Sequence, residues 1–146
     1  MAWDHFKKQT ELALGAINRP RPYRPIKVVP HDPMRPPHLV TAIKGWITTE
    51  IFLVNRTPEE MERLLGFDTR PGHEYLANGI DVFEFTRPIL ACDFQPGGAY
   101  TYLPGGKPWD GEDLHWLPGT GATQWRLIQD VPCRFIKTVP RGQRYF

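Results

Sequence analysis

Apolar positions along this chain change their period partway. Trp3, Phe6, Ala13, Leu14 and Ile17 recur at helical spacing, Lys7, Lys8 and Glu11 lie off that stripe, and Asp4 can cap the start, which predicts a helix over 4–17. From Arg19 to Pro37 prolines stand at 20, 22, 25, 30, 33, 36 and 37, so no helix survives there. The stretch reads as a solvated, polyproline-like strap, with Ile26-Lys27-Val28-Val29 as a short edge strand. A short helix is predicted over 38–46, and the β-branched run 47–54 reads as a strand. Thr57-Pro58-Glu59-Glu60 is a capping box that starts a helix; Met61, Leu64 and Leu65 supply its buried face and Gly66 its stop.

Beyond that helix the period turns to two. Residues 82–85 alternate until Pro88, a further strand is predicted over 89–94, and paired glycines bracket a hairpin-like segment over 99–103. Residues 107–121 form a long loop, and 123–128 and 134–139 read as two closing strands. Helices first and a mainly antiparallel sheet afterwards predict a single α+β domain. Residues 1–37 would be its N-terminal helix and proline-rich arm, and 38–146 its core.

With 146 residues, 40% of them hydrophobic, the chain can bury one core but not two. Its 18 Lys and Arg nearly balance 16 Asp and Glu, too even a ratio for a dedicated nucleic-acid binder. No apolar run approaches the roughly 20 residues of a membrane span. The first eight residues lack a basic segment leading into an apolar one. A soluble chain is expected, cytoplasmic or delivered by a specialised secretion system. Cys92 and Cys133 lie too far apart in sequence for a Cys-x-x-Cys pair, which excludes a disulfide scaffold and a standard structural zinc site. Sixteen prolines and 13 glycines imply short elements and long loops, where function is usually carried.

Candidate chemistry narrows by elimination. The chain has no serine, so it is not a serine hydrolase. Both cysteines sit beside apolar strand residues and read as small inert hydrophobes. His31, Asp32 and His38 lack a spacing that fixes three ligands on one ion, so they read as surface residues and no metal is expected. The turns at 105–107 and 119–121 complete no phosphate-binding motif, and Asp110, Glu112 and Asp113 read as a solvated loop. What remains is a cluster of Tyr100, Tyr102, Trp109, His115 and Trp116, followed by Gly119-Thr120-Gly121-Ala122-Thr123-Gln124-Trp125. Gln124 can hold a ribose hydroxyl through both donor and acceptor, and an aromatic ring can stack on a heterocycle. On a regular strand Gln124 and Trp125 face opposite sides, so only one can be core.

That glycine-rich turn and Gln-aromatic pair, with Val82-Phe83-Glu84-Phe85-Thr86-Arg87-Pro88-Ile89 and Tyr102-Leu103-Pro104-Gly105-Gly106-Lys107-Pro108, resembles ADP-ribosyltransferase-fold toxin domains, including NAD glycohydrolases of the tuberculosis necrotizing toxin type. Phe52-Leu53-Val54-Asn55-Arg56-Thr57-Pro58-Glu59-Glu60 followed by Gly66-Phe67 is similar to the Arg-bearing strand, helix and Gly-Phe step of pertussis-like members. The resemblance implies a split, largely antiparallel sheet that clamps NAD as substrate, with no metal and with a cognate immunity or inhibitor protein as a possible partner. It implies Arg56 on the NAD phosphate, Tyr102, Trp125 and Gly121 around the dinucleotide, and Gln124, His73 and Tyr75 as catalytic residues. His115 stands where the family carries arginine, and no Glu-x-Glu or Gln-x-Glu occurs near the end. Glycohydrolysis, or transfer to an acceptor other than arginine, then fits better. Two alternatives remain: a ribonuclease-type toxin domain using His73, Arg70 or His115 with Tyr75, and a non-enzymatic module that grips a protein through the proline arm and surface aromatics.

Overall fold

A single strand of 17 residues, Thr123–Val139, organises the molecule. The computed structural model describes residues 19–65, 78–93, 100–101 and 123–146. The expected helix over 4–17, the Gly66 stop and the long loop to residue 121 lie outside them. In chain order the strands are β1 (Pro25–Pro30), β2 (Ala42–Thr49), β3 (Ile80–Phe85), β4 (Tyr100–Thr101) and β5 (Thr123–Val139). Helix α1 spans Pro58–Leu64, and 3-10 turns cover Pro37–Leu39, Glu50–Phe52 and Ala91–Asp93.

The sheet order is β2-β1-β3-β5-β4, every pairing is antiparallel, and β2 also pairs with β5. Strands β2, β1, β3 and β5 therefore close into a four-strand barrel. This overturns the expected α+β split sheet of ADP-ribosyltransferase type: the described residues are mostly β, with one α-helix. The cause lies in β5. Its first part pairs with β2 from Thr48↔Gln124 to Ala42↔Pro132, and its second with β3 from Phe85↔Cys133 to Ile80↔Val139. Pro132 has no N–H to donate and sits at the changeover; its carbonyl accepts from the Thr86 N–H, and the Cys133 N–H turns to the Thr41 carbonyl. Two separate closing strands were expected where one bent strand runs.

Other expectations change for local reasons. The prolines at 25 and 30 bracket β1, which is a central strand between β2 and β3 and not an edge in a solvated strap. The segment expected as a helix over 38–46 is a 3-10 turn followed by β2, whose Ile43, Ile47 and Thr48 favour the pleated state. That strand ends at Thr49, because the Glu50 N–H bonds to the Arg24 carbonyl and a 3-10 turn begins. Residues 91–93 form a 3-10 turn and not a strand, with the Leu90 N–H held by Asp93 Oδ2 at 2.7 Å.

Cross-strand register sorts residues onto two faces. Lys27, Phe83, Phe135, Cys133, Val131, Leu127 and Ile47 share one. On the other face Arg126 is exposed and Trp46 half-buried, so the first set is the barrel interior. On the β1–β3 side the outer face carries Ile26, Val28, Ile80, Val82 and Val139. There it packs against Leu53, Met61, Leu65 and Tyr145. Helix α1 is held by the expected capping box: the Glu60 N–H donates to Thr57 Oγ1 and the Thr57 N–H to Glu60 Oε1, each at 3.3 Å. Among the described residues no helix is long and apolar enough to cross a membrane.

Candidate active site

At one end of the barrel β1 runs out into His31, whose backbone N–H donates to the Gly79 carbonyl at 3.0 Å. That contact brings the imidazole to the first turn of β3. His31 Nδ1 lies 2.9 Å from Asp81 Oδ1. The Thr138 hydroxyl, directly opposite Asp81 on β5, donates to the same oxygen at 2.6 Å. Asp81 is 2% exposed and the His31 side chain 24%. A buried carboxylate that accepts from Nδ1–H fixes the ring's tautomer and leaves the lone pair on Nε2. Among the described residues Nε2 meets no hydrogen-bond partner. Among the described residues the imidazole is thus held from behind and unpartnered at Nε2, as a general base must be.

Gly79 is needed for this arrangement. Its φ of +88° is left-handed, and a Cβ there would stand 2.3 Å from the Val139 carbonyl oxygen. The tight approach of Gly79 to β5 lets its own carbonyl reach back to His31.

A second unusual group lies on the interior face. Past Ile26↔Thr48 the β1–β2 ladder stops, and the Lys27 ammonium takes over, donating to the Trp46 carbonyl at 2.7 Å. Burial pushes Lys27 down to about 8. Its Nζ occupies the space beside Gly45, only 3.1 Å from where a Cβ would stand. The amine stitches two diverging strands together, which is a structural role.

Charged residues elsewhere are tied into paired networks. Glu50 is fully buried and accepts from Arg21, Arg24 and the Tyr145 hydroxyl. Burial alone would raise its carboxyl, but the bonds from Arg24 and Tyr145 and the arginine charges outweigh that and hold it below the usual range. Arg24 also reaches Glu84, which Arg134 grips from outside. Asp93 is chelated by Arg87 at 2.8 and 2.9 Å and accepts from Gln129, and these bonds hold it down at about 2 despite its burial.

The residues expected to hold NAD fare differently. Arg56 precedes α1; its carbonyl accepts from the Tyr145 N–H, and its guanidinium makes no ion pair among the described residues. Gln124 pairs through its backbone with Thr48 and Tyr100, and Trp125 with Ile47. His73, Tyr75, Tyr102 and Gly121 lie outside the described residues. Of the cysteines, Cys133 is buried inside the barrel, where burial pushes its thiol up, whereas Cys92 is exposed in the 3-10 turn Ala91–Asp93 and not on the strand expected there. His31 is not a free surface histidine, and its partner is neither Asp32 nor His38. The signal that could have found the pair is Asp81, a carboxylate set between Ile80 and Val82 at the start of β3, just before the stretch expected as a strand. Comparison with known proteins finds no family model, no curated protein and no solved structure that matches this chain.

Proposed function

We propose that this chain is an acid–base enzyme that cleaves RNA by activating the substrate's own 2′-hydroxyl. The observation that supports it is His31, held through Nδ1 on buried Asp81 with Nε2 open. No protein nucleophile accompanies that base among the described residues. The chain lacks serine, Cys133 lies inside the barrel, the exposed Cys92 follows the opposite end of β3 from Asp81, and the Thr138 hydroxyl is committed to Asp81. A base without a nucleophile suits a substrate that brings one. In RNA the 2′-oxygen attacks the adjacent phosphorus, the bond to the 5′-oxygen breaks, that oxygen takes a proton from water and leaves as a hydroxyl, and a 2′,3′-cyclic phosphate remains. His31 Nε2 would take the 2′-hydroxyl proton, a contribution worth about 10²–10⁴ in rate.

The test offers three substrates to the protein: an oligoribonucleotide, its all-deoxy counterpart, and NAD. Cleavage of the first alone, with a cyclic phosphate end and loss of at least about 100-fold in His31→Gln, supports the reading. Intact RNA overturns it. Release of nicotinamide from NAD would restore the dinucleotide reading, which has lost the split sheet it relied on.

A further inference from the structure

On the barrel's outer surface β2 and β5 carry Trp46 directly opposite Arg126. The Arg126 guanidinium stands over the indole, 5.9 Å from the ring centroid. That is near the outer limit of a cation–π contact. Lys44 lies two residues before Trp46 on β2, across the irregular step at Gly45, and is exposed, as is Arg126. Among the described residues neither cation forms an ion pair. Two available positive charges therefore flank a half-buried indole on an exposed sheet surface.

We infer that this Lys44–Trp46–Arg126 surface is a stacking subsite for single-stranded RNA, in which Trp46 receives one base and the two cations take the flanking phosphates. The inference rests on the proposed RNA-cleaving function and adds where the substrate is gripped. Aromatic rings flanked by Lys and Arg bind single strands because every base has a π-face and every linkage a negative charge. Topology puts the grip near the chemistry. Strands β1 and β2 are antiparallel, so the end of β1 that leads into His31 and the start of β2 that carries Lys44 lie at the same end of the barrel. A strand of a few nucleotides can pass from the platform over that rim to the imidazole. Arginine planes also stack on bases, so Arg126 can remain in the contact when a base arrives.

Binding is measured by fluorescence anisotropy with a labelled, fully 2′-O-methylated oligonucleotide, which lacks the nucleophile and stays intact. Trp46→Ala should weaken binding about 10- to 100-fold, and Trp46→Phe should recover most of it. Arg126→Gln and Lys44→Gln should each flatten the salt dependence by about one phosphate contact. With cleavable RNA the same Trp46 variants should raise KM while kcat at saturation holds. Circular dichroism of Trp46→Phe guards against a folding defect. An unchanged affinity in Trp46→Ala, or no binding by the unmodified protein, overturns the platform. Binding that depends on Trp46 without any cleavage of RNA would keep the platform and remove the catalytic reading; cleavage that ignores Trp46 would do the reverse.

Discussion

The Tyr145 hydroxyl donates to Oε2 of Glu50, 95 residues earlier, in a site where both side chains are fully buried. The segment leading to Tyr145 reaches that site because the Asn55 N–H donates to the Tyr145 carbonyl and the Tyr145 N–H donates to the Arg56 carbonyl. With Arg21 and Arg24 on the other carboxylate positions, the hydroxyl completes the coordination of a charge that would otherwise be buried at considerable cost.

Tyr145→Phe keeps the ring and removes only that donor. It should lower stability by about 1.5–3 kcal/mol, the usual range for a hydrogen bond to a charged group. Urea denaturation at neutral pH measures it, with an unchanged m-value showing that the fold persists.

Lys27 and Tyr145 give stability opposite slopes on the alkaline side, and the buried Cys133 thiol, also raised, adds to the downward one. Lys27 is depressed to about 8 from 10.5, so the unfolded chain holds that proton longer; its contribution is full above pH 10.5 and is lost as pH falls through 8. Tyr145 is raised to about 12 from 10, by burial first and then by Glu50; its contribution is full below pH 10 and is lost as pH rises through 12. Measured against Lys27→Met, the free energy of unfolding should climb from pH 8 to 10 by about 1–3 kcal/mol, and in both proteins it should fall above pH 10 as Tyr145 ionises. Lys27→Met should erase the climb and leave the fall.

Gly79 and Gly142 share nearly the same left-handed backbone, φ +88° and +87°, but differ in surroundings. Gly142→Ala meets nothing within 4 Å and should cost only the strain, about 1–2 kcal/mol. Gly79→Ala drives its Cβ into the Val139 carbonyl and should cost clearly more, with RNA cleavage falling because His31 loses its backbone anchor. Parallel thermal melts of the two variants give the comparison.

On the proposed reading Asp81 is a positioning residue. Asp81→Asn changes one oxygen to an amide and can present a donor to His31 Nδ1, which would turn the imidazole to the other tautomer. In a comparable histidine–carboxylate arrangement this swap costs about 10⁴ in turnover. The check is a KM-against-kcat split: kcat should fall with KM held, and Asp81→Glu should recover little because the longer side chain no longer fits between His31 and Thr138.

Much of the local structure is legible in the chain. The capping box at Thr57 reads correctly because its partners stand three residues apart, and the strand expected over 82–85 falls inside β3, which starts two residues earlier. Prolines mislead where they are treated only as breakers: Pro25 and Pro30 end a central strand, and Pro132 marks a change of partner inside one. The pairing of β2 with β5 joins residues about eighty positions apart, and no local pattern reports it. The same holds for the site. His31 finds Asp81 50 positions on, and Asp81 finds Thr138 57 positions on, through register alone.

The double pairing of β5 has a consequence for synthesis. Until its residues leave the ribosome, the nascent chain can build at most the β2-β1-β3 sheet, with β2 and β3 as raw edges open to any passing strand. One late segment then removes both edges together. The interval before residue 139 emerges is therefore the period in which this protein is most exposed to aggregation, and the one in which a holding chaperone has most to protect.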